Sequence, residues 1–72
     1  MTLTHTITTA TTDLTIQVEY DSQTDTVERI KKVFMNGTNV TGMMVMNFEN
    51  DLNKIVDTVE WRDICNQEKM TA

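Results

Sequence analysis

The chain contains no proline, one cysteine, one histidine and two glycines among its 72 residues, and each shortage removes a class of explanation. The lone Cys65 has no partner for a disulfide within the chain, and Cys65 with His5 cannot furnish the four ligands of a tetrahedral zinc site. Gly37 and Gly42 are too few for a loop that cradles phosphate. With no proline- or glycine-rich stretch there is no linker, so residues 1–72 read as a single domain. No segment approaches the roughly 20 apolar residues of a membrane span, and the start MTLTHTITTATTDLT lacks the cationic and apolar regions of a secretory signal. A cytoplasmic protein without a membrane partner is expected. Cations are also scarce: six Lys and Arg against 11 Asp and Glu leave a net charge of −5. That balance argues against direct nucleic acid binding, which depends on neutralising phosphates, and suits a basic partner or simple solubility.

A chain this short buries only about 60% of the surface its unfolded form exposes. Chains of this size are often held by disulfides, a metal or a partner subunit. The first two are excluded here, which leaves association, for instance a homodimer.

What is present is a strong strand signal. In DLTIQVEY, Leu14, Ile16, Val18 and Tyr20 alternate with Thr15, Gln17 and Glu19, at the period of a half-buried strand and with β-branched and aromatic residues to match. The polar DSQTD, Asp21 to Asp25, turns the chain, and TVERIKKVFMNG returns as the second strand of a hairpin over residues 13–35. Ile30 is out of phase with Val33 and Met35, so a β-bulge near Arg29 to Lys32 is required; a short helix on Val27, Ile30 and Phe34 is the alternative. Before the hairpin, Leu3, His5 and Ile7 alternate with threonines, as an edge strand or a frayed arm over residues 1–12.

Residues 36–47 read as a connector with a short helical turn. Asn36-Gly37 is a turn that tolerates positive φ, Thr41 is the expected N-cap of the turn carrying Met43, Met44 and Met46, and Asn47 the expected cap of the next helix. The triplets Asn36-Gly37-Thr38 and Asn39-Val40-Thr41 are therefore turn and cap rather than glycan acceptors. Methionine suits both irregular cores and adaptable surfaces, so Met44 is expected beneath the helix and at least one of Met43 and Met46 partly exposed. The final helix, residues 48–70, begins with Glu49 and Asp51 where the macrodipole favours acids, and Phe48, Leu52, Ile55, Val56 and Val59 form one apolar stripe. The fold class is α+β: a small antiparallel sheet of two or three strands covered by one amphipathic C-terminal helix.

Trp61, Ile64 and Cys65 fall opposite that stripe if the helix is continuous. Either the helix breaks after Glu60 and Trp61 folds back onto the sheet, or the three form an exposed contact surface. Catalysis finds no support. His5 stands alone in the threonine-rich segment, nothing near Cys65 marks an activated thiolate, and Asp57 with Glu60 reads as a solvated helix face. No enzyme, metal or other cofactor is expected.

LTIQVEYDSQTDTVERIKKVFMNGTNVT and the acidic helix after it resemble a loose group of small phage-encoded proteins of unassigned activity. There a strand ending V-x-V-x-Y-D is followed by one ending V-x-hydrophobic-N-G, two residues, V/I-T/S and a helix. Here the matching residues are Ile16, Val18, Tyr20 and Asp21, then Val33, Met35, Asn36, Gly37, Val40 and Thr41. The chain departs from the group in its threonine-rich start and in its methionines, and the group carries no functional residue across. What the resemblance implies is a phage setting, in which tiny non-enzymatic proteins block host machinery. The expectation is a module that binds and inhibits or modulates a host protein with a basic surface, an anti-CRISPR-like anti-defence inhibitor being one form. Its contacts would be the acidic Glu49, Asp57 and Glu60, with Trp61 as apolar anchor beside Ile64 and Cys65. The alternative is a self-associating structural or assembly protein of a phage particle, joined through the Trp61, Ile64 and Cys65 patch or by strand pairing at the threonine-rich edge.

Overall fold

β2 (Asp13–Asp21) is the central strand, as its alternation requires. It is flanked by β1 (Thr2–Thr8) and β3 (Thr26–Met35), and a two-residue β4 (Thr38–Asn39) completes an antiparallel meander in the order β1-β2-β3-β4. Three helices follow, α1 (Thr41–Asn47), α2 (Glu49–Thr58) and α3 (Trp61–Thr71). The computed structural model describes residues 1–71, with backbone only for 70 and 71. The class is α+β as expected, with one strand more than the sheet read from the sequence and with the C-terminal helix divided in two.

One face of the sheet carries the core. Leu3 pairs with Val18, His5 with Ile16 and Ile7 with Leu14, so the apolar positions of β1 and β2 lie side by side. The threonine-rich segment is thus a strand, and its even-numbered threonines line the opposite, uncovered face. Thr6 and Thr15 touch there through their hydroxyls at 3.0 Å.

β3 reaches the same face only by irregularity. Gln17 pairs with Lys32 but Val18 with Ile30, which leaves Lys31 as an extra residue; Glu19 pairs with Arg29 but Tyr20 with Val27, which leaves Glu28 as a second. The first bulge lies in the expected stretch. Together the two convert the helix-like spacing of Val27, Ile30 and Val33 into one strand face, since each inserted residue restores the pleat. At the end of β3, Asn36 (φ 52°) and Gly37 (φ 84°) form a two-residue hairpin turn that pairs Met35 with Thr38 and Phe34 with Asn39. Two consecutive positive φ values define the type I′ turn that matches strand twist.

Leu3, Ile16, Val18, Tyr20 and Val33 of the sheet pack with Met44, Leu52, Val56, Trp61 and Cys65 of the helices in one buried cluster. The two capping assignments are corrected. Val40, not Thr41, precedes α1 without a side-chain cap. Thr41 instead accepts the Val33 N–H at 2.9 Å, and its own N–H is taken by Asn39 Oδ1 at 3.0 Å, so Thr41 ties the helix start to β3. Asn47 closes α1, donating to the Met43 carbonyl at 3.1 Å, and Phe48 stands between α1 and α2.

The helix break settles the place of Trp61. Val59 is extended (φ −85°, ψ 134°) and ends α2, so α3 sets off in a new direction and its apolar residues meet the sheet. The Trp61 indole N–H donates to the Val56 carbonyl at 3.0 Å, satisfying one of the acceptors a helix end leaves open. Trp61 also meets the His5 ring edge-on, centroids 6.2 Å apart.

At the far end of the sheet the Tyr20 hydroxyl donates to Asp25 Oδ1 at 2.5 Å, and Arg62 pairs with the other carboxylate oxygen at 3.2 Å. The hydrogen bond to Asp25, followed by burial and the carboxylate charge, holds the Tyr20 phenol above its ordinary value of 10.0. Because the folded form favours the protonated phenol, this contribution to stability is intact below pH 10 and is lost as pH rises through the folded value. Tyr20 is the sole tyrosine, so absorbance of phenolate at 295 nm reports it alone. The expected midpoint lies above 10, and Asp25→Asn should lower it; equal midpoints would show that the carboxylate does not govern the phenol.

Candidate functional site

The six residues named from sequence do not form one face. Trp61 and Cys65 are 6% and 2% exposed, Ile64 is half-buried against the core, and only Glu49, Asp57 and Glu60 lie on the surface. Trp61 and Cys65 are accordingly core residues, and the surface patch expected of them is absent. The cause is the extended residue Val59: a continuous helix would have turned Trp61 outward, whereas the break turns it inward. Cys65 lies 3.2 Å from the Met1 sulfur, an apolar setting with no base beside it.

Apart from Met1, the exposed large apolar side chains lie instead around the α1–α2 corner. Met46 is 85% exposed, Met43 and Phe48 46% each and Val45 39%. The methionine expectation holds: Met44 is buried and the other two are not. Phe48 departs from the stripe assigned to it. Its backbone continues the helical bonding, accepting from Leu52 and donating to Met44, but φ −132° bends the chain there, and the ring is left half in water. With Met35, Met43, Met44 and Asp51 it lines a shallow hollow that is almost wholly apolar.

Acids adjoin this surface. Glu49 and Asp51 occupy the first turn of α2, where the macrodipole stabilises negative charge. Further along, Glu49 and Asp57 line a groove between α2 and the bulged half of β3, opposite Glu28 and Arg29. Asp57 and Glu60 border a second hollow with Asp25 and Arg62. Glu49, Asp51, Asp57 and Glu60 make no salt bridge among the described residues. A methionine and phenylalanine surface with unpaired carboxylates beside it is suited to a partner that is both apolar and basic, because the soft side chains repack around an anchor while the charges attract.

Among the described residues no group of His, Cys, Asp and Glu is placed to hold a metal ion, and no helix is long and apolar enough to cross a membrane. No family model matches the chain, and no match was found among curated proteins or solved structures.

Proposed function

We propose that the chain is a non-enzymatic protein-binding module that holds a basic partner protein at the α1–α2 corner. The observation that carries this reading is the exposure of Met43, Met46 and Phe48 next to Glu49 and Asp51. Three large apolar side chains within residues 43–48 are costly to leave in water without a role, and a solvent-exposed cluster of this kind marks contact surfaces. The charge of −5 supports a basic target by drawing it in at a distance. Buried Trp61 and Cys65 do not take part; Glu49 is retained from the contact residues expected of the sequence, and Asp57 and Glu60 extend the acidic field along α2. The likeness to small phage proteins favours a host protein as the partner and its inhibition or modulation as the outcome, an anti-defence inhibitor in the manner of an anti-CRISPR being one form. The corresponding site of action is the host cytoplasm.

Capture from host lysate, followed by titration with the purified partner, tests the reading. A single stoichiometric basic protein is expected, with Met46→Lys combined with Phe48→Ser weakening it at least tenfold, the scale of losing an interface anchor. Charge reversal at Glu49 and Asp51 should slow association and flatten its salt dependence. Binding that survives both changes undiminished overturns the site.

A further inference from the structure

β1 is an edge strand whose outer side no described residue covers. Tyr20 N–H donates to the Met1 carbonyl at 2.7 Å and Met1 N to the Tyr20 carbonyl at 2.8 Å, so Met1 and Tyr20 form a hydrogen-bonded pair. Antiparallel pairs alternate in kind. From the register, Leu3, His5 and Ile7 therefore bond to β2, while Thr2, Thr4, Thr6 and Thr8 direct their N–H and C=O groups outward. No described residue takes them. The strand also lacks the usual defences of an edge, having no proline, no lysine and no bulge.

The sequence of this strand, TLTHTIT, reads the same in both directions about His5 apart from the exchange of Leu3 and Ile7. That symmetry says what occupies the edge. An isologous interface sets residue i against j and j against i, and a two-fold axis through His5 makes every pair alike: Thr2 with Thr8, Leu3 with Ile7, Thr4 with Thr6 and His5 with its own copy. We infer that β1 pairs antiparallel with β1 of a second copy of this chain, centred on His5, joining two four-stranded sheets into one of eight strands.

The geometry agrees at each level. The outward-directed threonines become the hydrogen-bonded pairs of the new ladder, which supplies about eight main-chain bonds. Their side chains meet on the open sheet face, repeating across the axis the hydroxyl contact Thr6 already makes with Thr15; Thr–Thr pairs of this sort are favourable in sheets. Leu3 and Ile7 meet on the core face and extend it. A register displaced by one residue would set Leu3 against the threonine face, and one displaced by two would leave strand ends unpaired, so the palindrome selects a single alignment.

Light scattering on the purified chain should give twice the 8.3 kDa monomer mass, falling on dilution. Thr6→Pro removes an N–H that β2 does not use, and proline is tolerated on an edge; this variant should keep its circular dichroism and become monomeric. Register is read by cross-linking in a Cys65→Ala background. His5→Cys, at a non-hydrogen-bonded pair with Cα atoms about 4.5 Å apart, is within disulfide reach and should oxidise to a covalent dimer, whereas Thr8→Cys should not. The pairing is overturned if the chain stays monomeric at millimolar concentration, if Thr6→Pro folds and still dimerises, or if the two cysteine variants cross-link alike. The last comparison decides the matter even where Thr6→Pro fails to fold. A monomer that captures an extended peptide of another protein at β1 would also refute the second copy as occupant.

Discussion

Trp61→Ala is expected to destabilise the fold by about 3–5 kcal/mol, the usual cost of removing a buried large aromatic side chain. A domain of 72 residues has about 4–11 kcal/mol in total, so the variant should be largely unfolded at room temperature or close to it. Three contacts are lost at once. The indole is 6% exposed in the core, it bonds the Val56 carbonyl that ends α2, and it meets His5 of β1. Trp61→Phe keeps most of the packing and loses the N–H donor; the Val56 carbonyl still receives the Val59 N–H at 3.2 Å, so a cost of about 1 kcal/mol is expected. Urea unfolding followed by circular dichroism gives both values. The pair also separates the two roles weighed for this residue. A core Trp61 predicts that partner capture in Trp61→Phe is unchanged once the protein is folded, whereas a surface anchor would lose binding with little loss of stability.

The second large effect comes from single-residue deletions in neighbouring strands, with opposite outcomes. Removing Gln17 from β2 shifts the pleat by one residue, so either Leu14 and Ile16 or Val18 and Tyr20 move to the open face. Ile16 and Val18 are fully buried and Tyr20 nearly so. Turning two such side chains outward costs about 3–6 kcal/mol at about 1.5–3 each, a large share of the stability of a domain this size. Removing Lys32 from β3 yields the same chain as removing Lys31, the unpaired residue of the first bulge. Ile30 and Val33 then stand two apart, and the register continues without the bulge. A cost of about 1 kcal/mol or less is expected, the scale of changes away from the core. Comparable losses from both deletions would show that the bulge is not what sets the face of β3.

The same two strands show how far the sequence carries. β2 was legible in full because its alternation is unbroken from Leu14 to Tyr20. In β3 the displacement of Ile30 pointed to one bulge, but the second, at Glu28, was hidden: Val27 and Ile30 are three apart, a spacing that a helix shares. β4 was not legible, since two residues carry no period, although the Asn36-Gly37 turn that forms it was. In the helical layer the conflict between the Leu52 stripe and Trp61 was visible as a conflict. Periodicity alone could not choose between a bend and a patch, because the deciding residue, Val59, is an ordinary one with an extended backbone and no glycine or proline marks it. The candidate site was legible in part for the same reason. Met43 and Met46 stood out by crowding, whereas Phe48 fitted the buried stripe and is exposed only because the α1–α2 corner falls on it.

The order of the strands along the chain bears on how the molecule assembles. Every neighbour in the sheet is also a neighbour in sequence, so each pairing closes only a short loop, and loop closure is the entropy that slows β-sheet formation. No X–Pro bond exists to interpose a wait of tens of seconds. The meander can zip from its turns, and α1 and α2 settle on the strands that precede them. Among the described residues, the joint between the most distant parts of the sequence is α3 against β1, where Trp61 meets His5 and Cys65 meets Met1. That joint is the step at which α3 is brought onto the first strand, and it sets this helix against the strand whose outer edge no other described residue pairs with.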